Sequence, residues 1–370
     1  MACDVMITGT GSLAEASLFA FADCDAGGGL RLAIAGRNPA RLAWLEVCAN
    51  ARSASFGRPN FTEAVALDWD SPEALAREVA RLKPRVIIQT ASMQTPWSLG
   101  SLNAWARMIA AGGYGLATPL HTILTVRLIE AVGRAGVDAT LVNGAFPDIA
   151  NSIIQCMGLP VPVGFGNIDI VAATVTAVLG RRSQEGVQVM GQYEPHCAAF
   201  RLAPAKRGGM GPRLWIDGKE MPDEEFRQRT AHVTFPGAGD DGLNQLTGTT
   251  VVPFTLALLD GRRYLGHACG PFGLPGGYPV TIENRQVSLR LPAGVSLEEA
   301  IAYNKGFEEE CGIVLDAKSR RIRLHGNAFA ALERHSPEMA RGYSVATLAE
   351  LEAAGRDCIA LRARLEPQAA

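Results

Sequence analysis

Short apolar runs of strand length alternate with segments of helix length over the first 150 residues. Asp4–Val5–Met6–Ile7–Thr8, Leu30–Ala35 and Phe61–Leu67 have strand length, and Arg85–Thr90 is the near-continuous apolar run of a strand buried in a parallel sheet. Residues 15–22, 40–52 and 71–82 separate them and read as helices; residues 40–52 carry Leu42, Leu45, Val47 and Cys48 on one face. Ser71 before Pro72 is an N-cap followed by proline at the first helical position. Tyr114–Ala117 and Ala139–Asn143 predict a fifth and a sixth strand around an amphipathic helix over Pro119–Ala135. This alternation predicts the α/β class, with a doubly wound parallel sheet.

The pattern changes past residue 150. Gly158–Gly166 is the clearest break in composition and marks the boundary of a second unit. Ile168–Val178 and Val187–Val189 read as strand-like apolar segments, and Leu214–Ile216 and Ala231–Phe235 as strands around acidic Asp223–Glu225. Thr249–Asp260 predicts a helix, so the second unit is α+β. His267–Val280 holds so many glycines and prolines that it predicts an irregular loop. A helix from Ser296 to Glu310, a strand at Ile322–Leu324 and an alanine-rich helix over Ser344–Arg364 follow. The expected organisation is 1–150, 151–325 and a helical segment 326–370.

Chemistry enters at the first turn. Gly9–Thr10–Gly11–Ser12–Leu13–Ala14 stands between the first strand and the first helix, the order of a dinucleotide-binding Rossmann unit. Gly9 allows the tight turn, Gly11 the close approach of a pyrophosphate, and the helix N-terminus supplies orphan N–H groups. The second strand ends in Gly36–Arg37–Asn38–Pro39–Ala40–Arg41, with no acid between Asp25 and Glu46. An acid there would accept from the ribose hydroxyl of NAD; Arg37 and Arg41 suit a 2′-phosphate instead, so the expected coenzyme is NADP. Both arginines also fit as solvated residues of an Asn38-capped helix. Asp68 could bond the adenine amino group or cap the next turn, and Thr90–Ala91–Ser92 face the nicotinamide half of the ligand.

Composition excludes several classes. The 370 residues carry a net charge of −2, which gives no electrostatic reason to expect nucleic acid or an anionic membrane. Eight scattered cysteines without C-x-x-C, no signal-like start and no long apolar run predict a reduced, cytoplasmic protein without a metal site. A small-molecule substrate is the expected partner; a homodimer is left open.

Residues for the substrate side come from loops. Trp97 after the fourth strand is either a substrate contact or a packing residue. Asn143, Asp148 and Asn151 lie at the exit of the sixth strand, where Asp148 either caps a helix running to Met157 or meets the substrate. Lys206, Arg207 and Arg213 form a basic loop that either binds a carboxylate or is a solvated hairpin. His267 and Tyr278 are the proton-transfer candidates, against the alternative of a structural turn.

The turn Gly9–Ala14, with Ala35–Gly36–Arg37–Asn38 and Asp68, resembles the coenzyme domain of saccharopine-dehydrogenase-like oxidoreductases over roughly the first 150 residues. The resemblance implies reduction of an imine, or oxidation of a C–N bond, in an amino-acid-like substrate. It also implies an α+β substrate domain and a C-terminal segment that packs back on the first domain. The lysine/histidine pair of some members has no match after the fourth strand. Short-chain dehydrogenases need a tyrosine four residues before a lysine, and none of the six tyrosines has one. A non-catalytic NADP-binding sensor is the alternative function.

Overall fold

The computed structural model describes residues 2–94, 103–236 and 242–366. The first half runs β1 (Val5–Thr8), α1 (Ser12–Asp23), β2 (Arg31–Gly36), α2 (Pro39–Ser55), β3 (Phe61–Ala66), α3 (Pro72–Leu82), β4 (Val86–Gln89), α4 (Ala104–Gly112), α5 (Thr118–Ala135), β5 (Thr140–Asn143) and α6 (Pro147–Cys156). The chain continues through β6 (Val163–Gly164), α7 (Ile168–Val178), β7 (Val187–Met190), β8 (Arg213–Ile216), β9 (Lys219–Met221), α8 (Asp223–Thr230), α9 (Leu243–Asp260), β10 (Tyr264–Cys269), β11 (Gly277–Glu283) and β12 (Gln286–Leu289). It closes with α10 (Leu297–Cys311), β13 (Ile313–Asp316), β14 (Arg321–Leu324), α11 (Gly326–Glu333), α12 (Pro337–Ala340), β15 (Tyr343–Ser344) and α13 (Leu348–Leu365).

Nine strands form one sheet in the order β12-β11-β10-β6-β5-β4-β1-β2-β3. Its six parallel members lie 3-2-1-4-5-6, the doubly wound Rossmann order. β10 joins them antiparallel at Cys269 and Gly164, and β11 and β12 extend the meander. Two three-stranded sheets, β7-β8-β9 and β13-β14-β15, complete the α/β architecture.

Period-two alternation sends the parallel strands' side chains into two cores. Met6 and Ile87 pack under α3, α5 and α13, while Val5, Ile7, Val86 and Ile88 pack under α1, α2 and α9. α9 crosses α1 closely because Gly248 has no side chain; a Cβ there would sit 2.5 Å from the Ala16 carbonyl carbon. α13 runs along α5, and Glu352 pairs with Arg127 at 2.8 Å.

Four sequence expectations change. Tyr114–Ala117 is a 3-10 turn rather than a strand, because Glu194 takes the Tyr114 N–H at 2.5 Å and the run is too short to pair. Residues 168–178 are helical despite their β-branched residues, since α7 is packed among β7, β10 and α9. Residues 231–235 leave α8 in a turn and form no strand. His267 and Tyr278 lie inside β10 and β11, and only residues between those strands form the irregular loop.

Candidate functional site

At the carboxyl ends of the parallel strands a cavity of about 490 Å³ opens between the β1–α1 turn, the exits of β2, β4 and β5, and the start of α9. Its floor is built by what glycine permits. Gly9 has φ +110°, and a Cβ there would come within 2.7 Å of Thr90 Oγ1 and 3.2 Å of Ala91 N. The turn can therefore rest on the exit of β4 only with glycine in this place. Gly36 is similar: its missing Cβ would meet Thr10 Cγ2 at 2.8 Å.

Gly11 differs. It is extended (φ −80°, ψ −179°), and a Cβ there would meet no protein atom within 4 Å. The protein does not need glycine at this point; the open space belongs to the cavity. Gly11 is also the N-cap of α1 and offers no side chain to its first turn. By contrast Asn38 caps α2 by accepting from Arg41 N at 3.0 Å, and Ser71 caps α3. The first-turn N–H groups of α1 thus face the cavity with the helix dipole behind them, an arrangement that fits a phosphate. Asn244 on α9 donates to Ser12 Oγ at 2.7 Å and ties this tip to the opposite wall.

Charge agrees with that fit. Arg37 and Arg362 line the cavity, and among the described residues no aspartate or glutamate does. Arg37 makes no hydrogen bond or ion pair with the described residues and stands exposed beside Asn38 at the end of β2. Arg41 lies outside the lining, bound to the Glu15 carboxylate and 3.4 Å from the Thr10 carbonyl. Asp68 is outside as well; its carboxylate accepts from Asp70 N at 3.0 Å, while the neighbouring Trp69 lines the cavity.

The far end holds a group that sequence reasoning missed. Thr90, Ala91 and Ser92 line it, and Ser92 Oγ lies 2.9 Å from His121 Nδ1. The Ser92 hydroxyl is directed at the carbonyls of Gln94 and Leu120, so the network assigns the ring proton to Nδ1 and leaves Nε2 as an acceptor. Burial lowers the His121 pKa to about 4, so the ring is neutral near pH 7. Phe146 packs on it at 5.7 Å in a left-handed conformation (φ 52°), and Tyr193 meets Phe146 edge-on. The only signal in the sequence was a histidine within an otherwise apolar and threonine-rich helical face.

The other expected residues separate from this centre. Trp97 lies outside the described residues. Asn143 and Asn151 are fully buried beneath the cavity. Asn143 donates to Asn151 Oδ1 at 3.0 Å, and Asn151 Nδ2 reaches the carbonyls of Pro162, Cys269 and Gly270 at 2.9–3.4 Å. They brace the β5, β6 and β10 exits instead of facing a ligand. Asp148 reaches the cavity only through Asn167, whose amide donates to its Oδ2, while Oδ1 is buried without a partner. Burial raises the Asp148 carboxyl to about 6 against that bond. Asn167 itself lines the cavity with a strained backbone (φ 42°, ψ −100°). Arg207 and Arg213 are engaged with main-chain carbonyls and with Glu220 and Glu299 respectively.

His267 and Tyr278 are fully buried outside the cavity. His267 Nε2 accepts from Val189 N at 2.9 Å and its Nδ1 meets Gln184 Oε1 at 2.8 Å; Gln184 in turn donates to Asp169 at 3.1 Å. This chain braces β10 against α7 and β7. Burial raises the Asp169 carboxyl to about 6. Because that folded value is above the ordinary 3.8, stability is expected to fall as pH rises through the interval between them. Asp169→Asn keeps an acceptor without the charge. Its melting temperature relative to wild type should therefore rise between pH 4 and pH 8; a pH-independent difference would contradict the assignment.

Among the described residues no group of His, Cys, Asp or Glu is placed to hold a metal, and no helix is long and apolar enough to cross a membrane.

No protein-family model and no curated protein matches the chain. Solved structures do. Lactate dehydrogenase from Cryptosporidium parvum, complexed with lactic acid and nicotinamide adenine dinucleotide, superposes with a TM-score of 0.52 at 13% identity over 84% of this chain and 97% of its own. Malate dehydrogenase from Plasmodium falciparum gives 0.52 at 12% over 90% and 99%, and that from Picrophilus torridus 0.51 at 12% over 84% and 96%. At these identities the likeness establishes the fold: a Rossmann sheet followed by further α and β elements, as in these dehydrogenases.

Proposed function

We propose that this chain is an NADP-dependent oxidoreductase acting on the C=N or C–N bond of an amino-acid-like substrate. The observation that carries the coenzyme is the uncapped α1 tip at Gly11, opening on a cavity that Arg37 lines and no described carboxylate does. In that cavity the first-turn N–H groups hold the pyrophosphate, and the Arg37 fork receives the 2′-phosphate. The nicotinamide supplies or takes up the hydride. Thr90, Ala91 and Ser92 position its half of the ligand, and Phe146 and Tyr193 exclude water there. His121, held by Ser92, accepts a proton at Nε2 when a C–N bond is oxidised and returns it in reduction. The C–N choice rests on the saccharopine-dehydrogenase-like resemblance of the first 150 residues. NADPH consumption with keto acids, with and without amines, separates it from carbonyl reduction.

Arg37→Ala tests the coenzyme assignment. Loss of a charged hydrogen bond of about 1.5–3 kcal/mol should weaken NADPH roughly 10- to 100-fold and leave NADH unchanged, measured by fluorescence titration. Unchanged NADPH affinity with weak NADH would contradict the role of Arg37.

A further inference from the structure

We infer that Arg362, carried into the cavity by the C-terminal helix, is a second oxyanion anchor of this site, receiving a phosphate of the coenzyme or a carboxylate of the substrate. The inference rests on the dinucleotide reading for its setting, and its test keeps one arm, with inorganic pyrophosphate, that does not. Arg362 comes from the last two turns of α13, more than two hundred residues beyond the Rossmann strands it meets. It lines the same cavity as Gly11 and Arg37. Its side chain is 27% exposed, so most of it is withdrawn from water while a part still faces the opening.

Nη1 donates to Gln94 Oε1 at 3.2 Å and to Met93 O at 3.5 Å, fixing the guanidinium on the segment that leaves β4. Nη2 makes no hydrogen bond to the described residues, and Nε has only a long ionic contact, 3.9 Å to Glu366. A guanidinium needs two parallel donors to hold an oxyanion in a fork, and this one keeps that edge available.

Position points to the reacting end. Gln94 N donates to Ser92 Oγ at 3.1 Å, and Ser92 holds His121. One short turn therefore carries both the proton-transfer pair and the residue that orients Arg362. Inside the cavity no described carboxylate faces the cation; its one ionic partner, Glu366, lies outside the lining at 3.9 Å. α13 is thus part of the site: the first unit alone, residues 1–150, would lack this anchor.

The test uses the full chain and Arg362→Gln, which keeps an amide to reach Met93 but removes the cation. NADPH affinity is measured by fluorescence titration, and oxalate binding to the NADPH-saturated protein by the shift in melting temperature. The ligand-free melting temperature serves as the control for folding. If the oxyanion is a coenzyme phosphate, NADPH should weaken about tenfold or more. If it is a substrate carboxylate, NADPH affinity should stay within about twofold while the oxalate shift of the wild type disappears. Either result supports the anchor. NADPH affinity and oxalate response both equal to wild type would overturn it. Should Arg362→Gln not fold, Arg362→Lys keeps the charge without the fork and is expected to show the same defect in milder form; a lysine variant equal to wild type in both readouts overturns the anchor. Failure of the wild type to bind NADPH would instead sink the dinucleotide reading. In that case a melting shift with inorganic pyrophosphate that Arg362→Gln abolishes would still support the anchor, and its absence would overturn it.

Discussion

Gly11→Val is expected to abolish measurable NADPH binding while the protein stays folded. The backbone at Gly11 is extended and accepts a β-branched residue without strain, and a Cβ there meets no protein atom within 4 Å. Valine is a poorer N-cap than glycine, which costs about 0.5–1 kcal/mol and lowers the melting temperature by a few degrees at most. The new methyl groups would occupy the space that a pyrophosphate needs in front of the α1 tip. Affinity should therefore drop by at least about 100-fold, or ~3 kcal/mol, the worth of the charge-assisted bonds the phosphate would lose. Calorimetric titration beside a thermal melt separates the two effects. A valine variant that binds NADPH like wild type would move the phosphate away from Gly11.

Asn151→Ala is expected to do the opposite: lose stability and keep the site. Its side chain serves three main-chain carbonyls and Asn143 in the buried junction of β5, β6 and β10. Truncation leaves several of these groups without partners and should destabilise the fold by about 2–4 kcal/mol in urea unfolding. The folded fraction should bind NADPH as wild type does. A stable variant with impaired binding would return Asn151 to the cleft.

Apart from Tyr114–Ala117, the elements named in the first half of the molecule were legible because they announce themselves locally. β1, the glycine turn and α1 are contiguous, and Gly9 is needed in the turn for its positive φ and its close approach to the exit of β4. β4 reads as a buried strand because both of its faces are covered. The sequence also put Arg37 at the end of β2, where the structure places it on the cavity. The second half was harder. Residues 168–178 are buried on nearly every side, with Asp169, Thr174 and Thr176 among the buried positions, so α7 shows no clear amphipathic period, and their valine and isoleucine content argues for a strand. Tertiary packing overrides that propensity. His267 and Tyr278 sit beside so many glycines and prolines that the loop between β10 and β11 looked longer than it is. His121 and Arg362 were missed for another reason. Each is one residue in a helix with a sound structural purpose, and only the fold brings α5 and α13 to the end of β4.

On the function proposed above, the uncapped tip of α1 and Arg37 together hold the diphosphate and the 2′-phosphate of NADPH. Calorimetric titration of the full chain with NADPH, and in parallel with NADH, is the deciding measurement. The expected result is one NADPH site per chain, with NADH weaker by about 10-fold or more. Absence of heat with both coenzymes, or equal binding of the two, would contradict it.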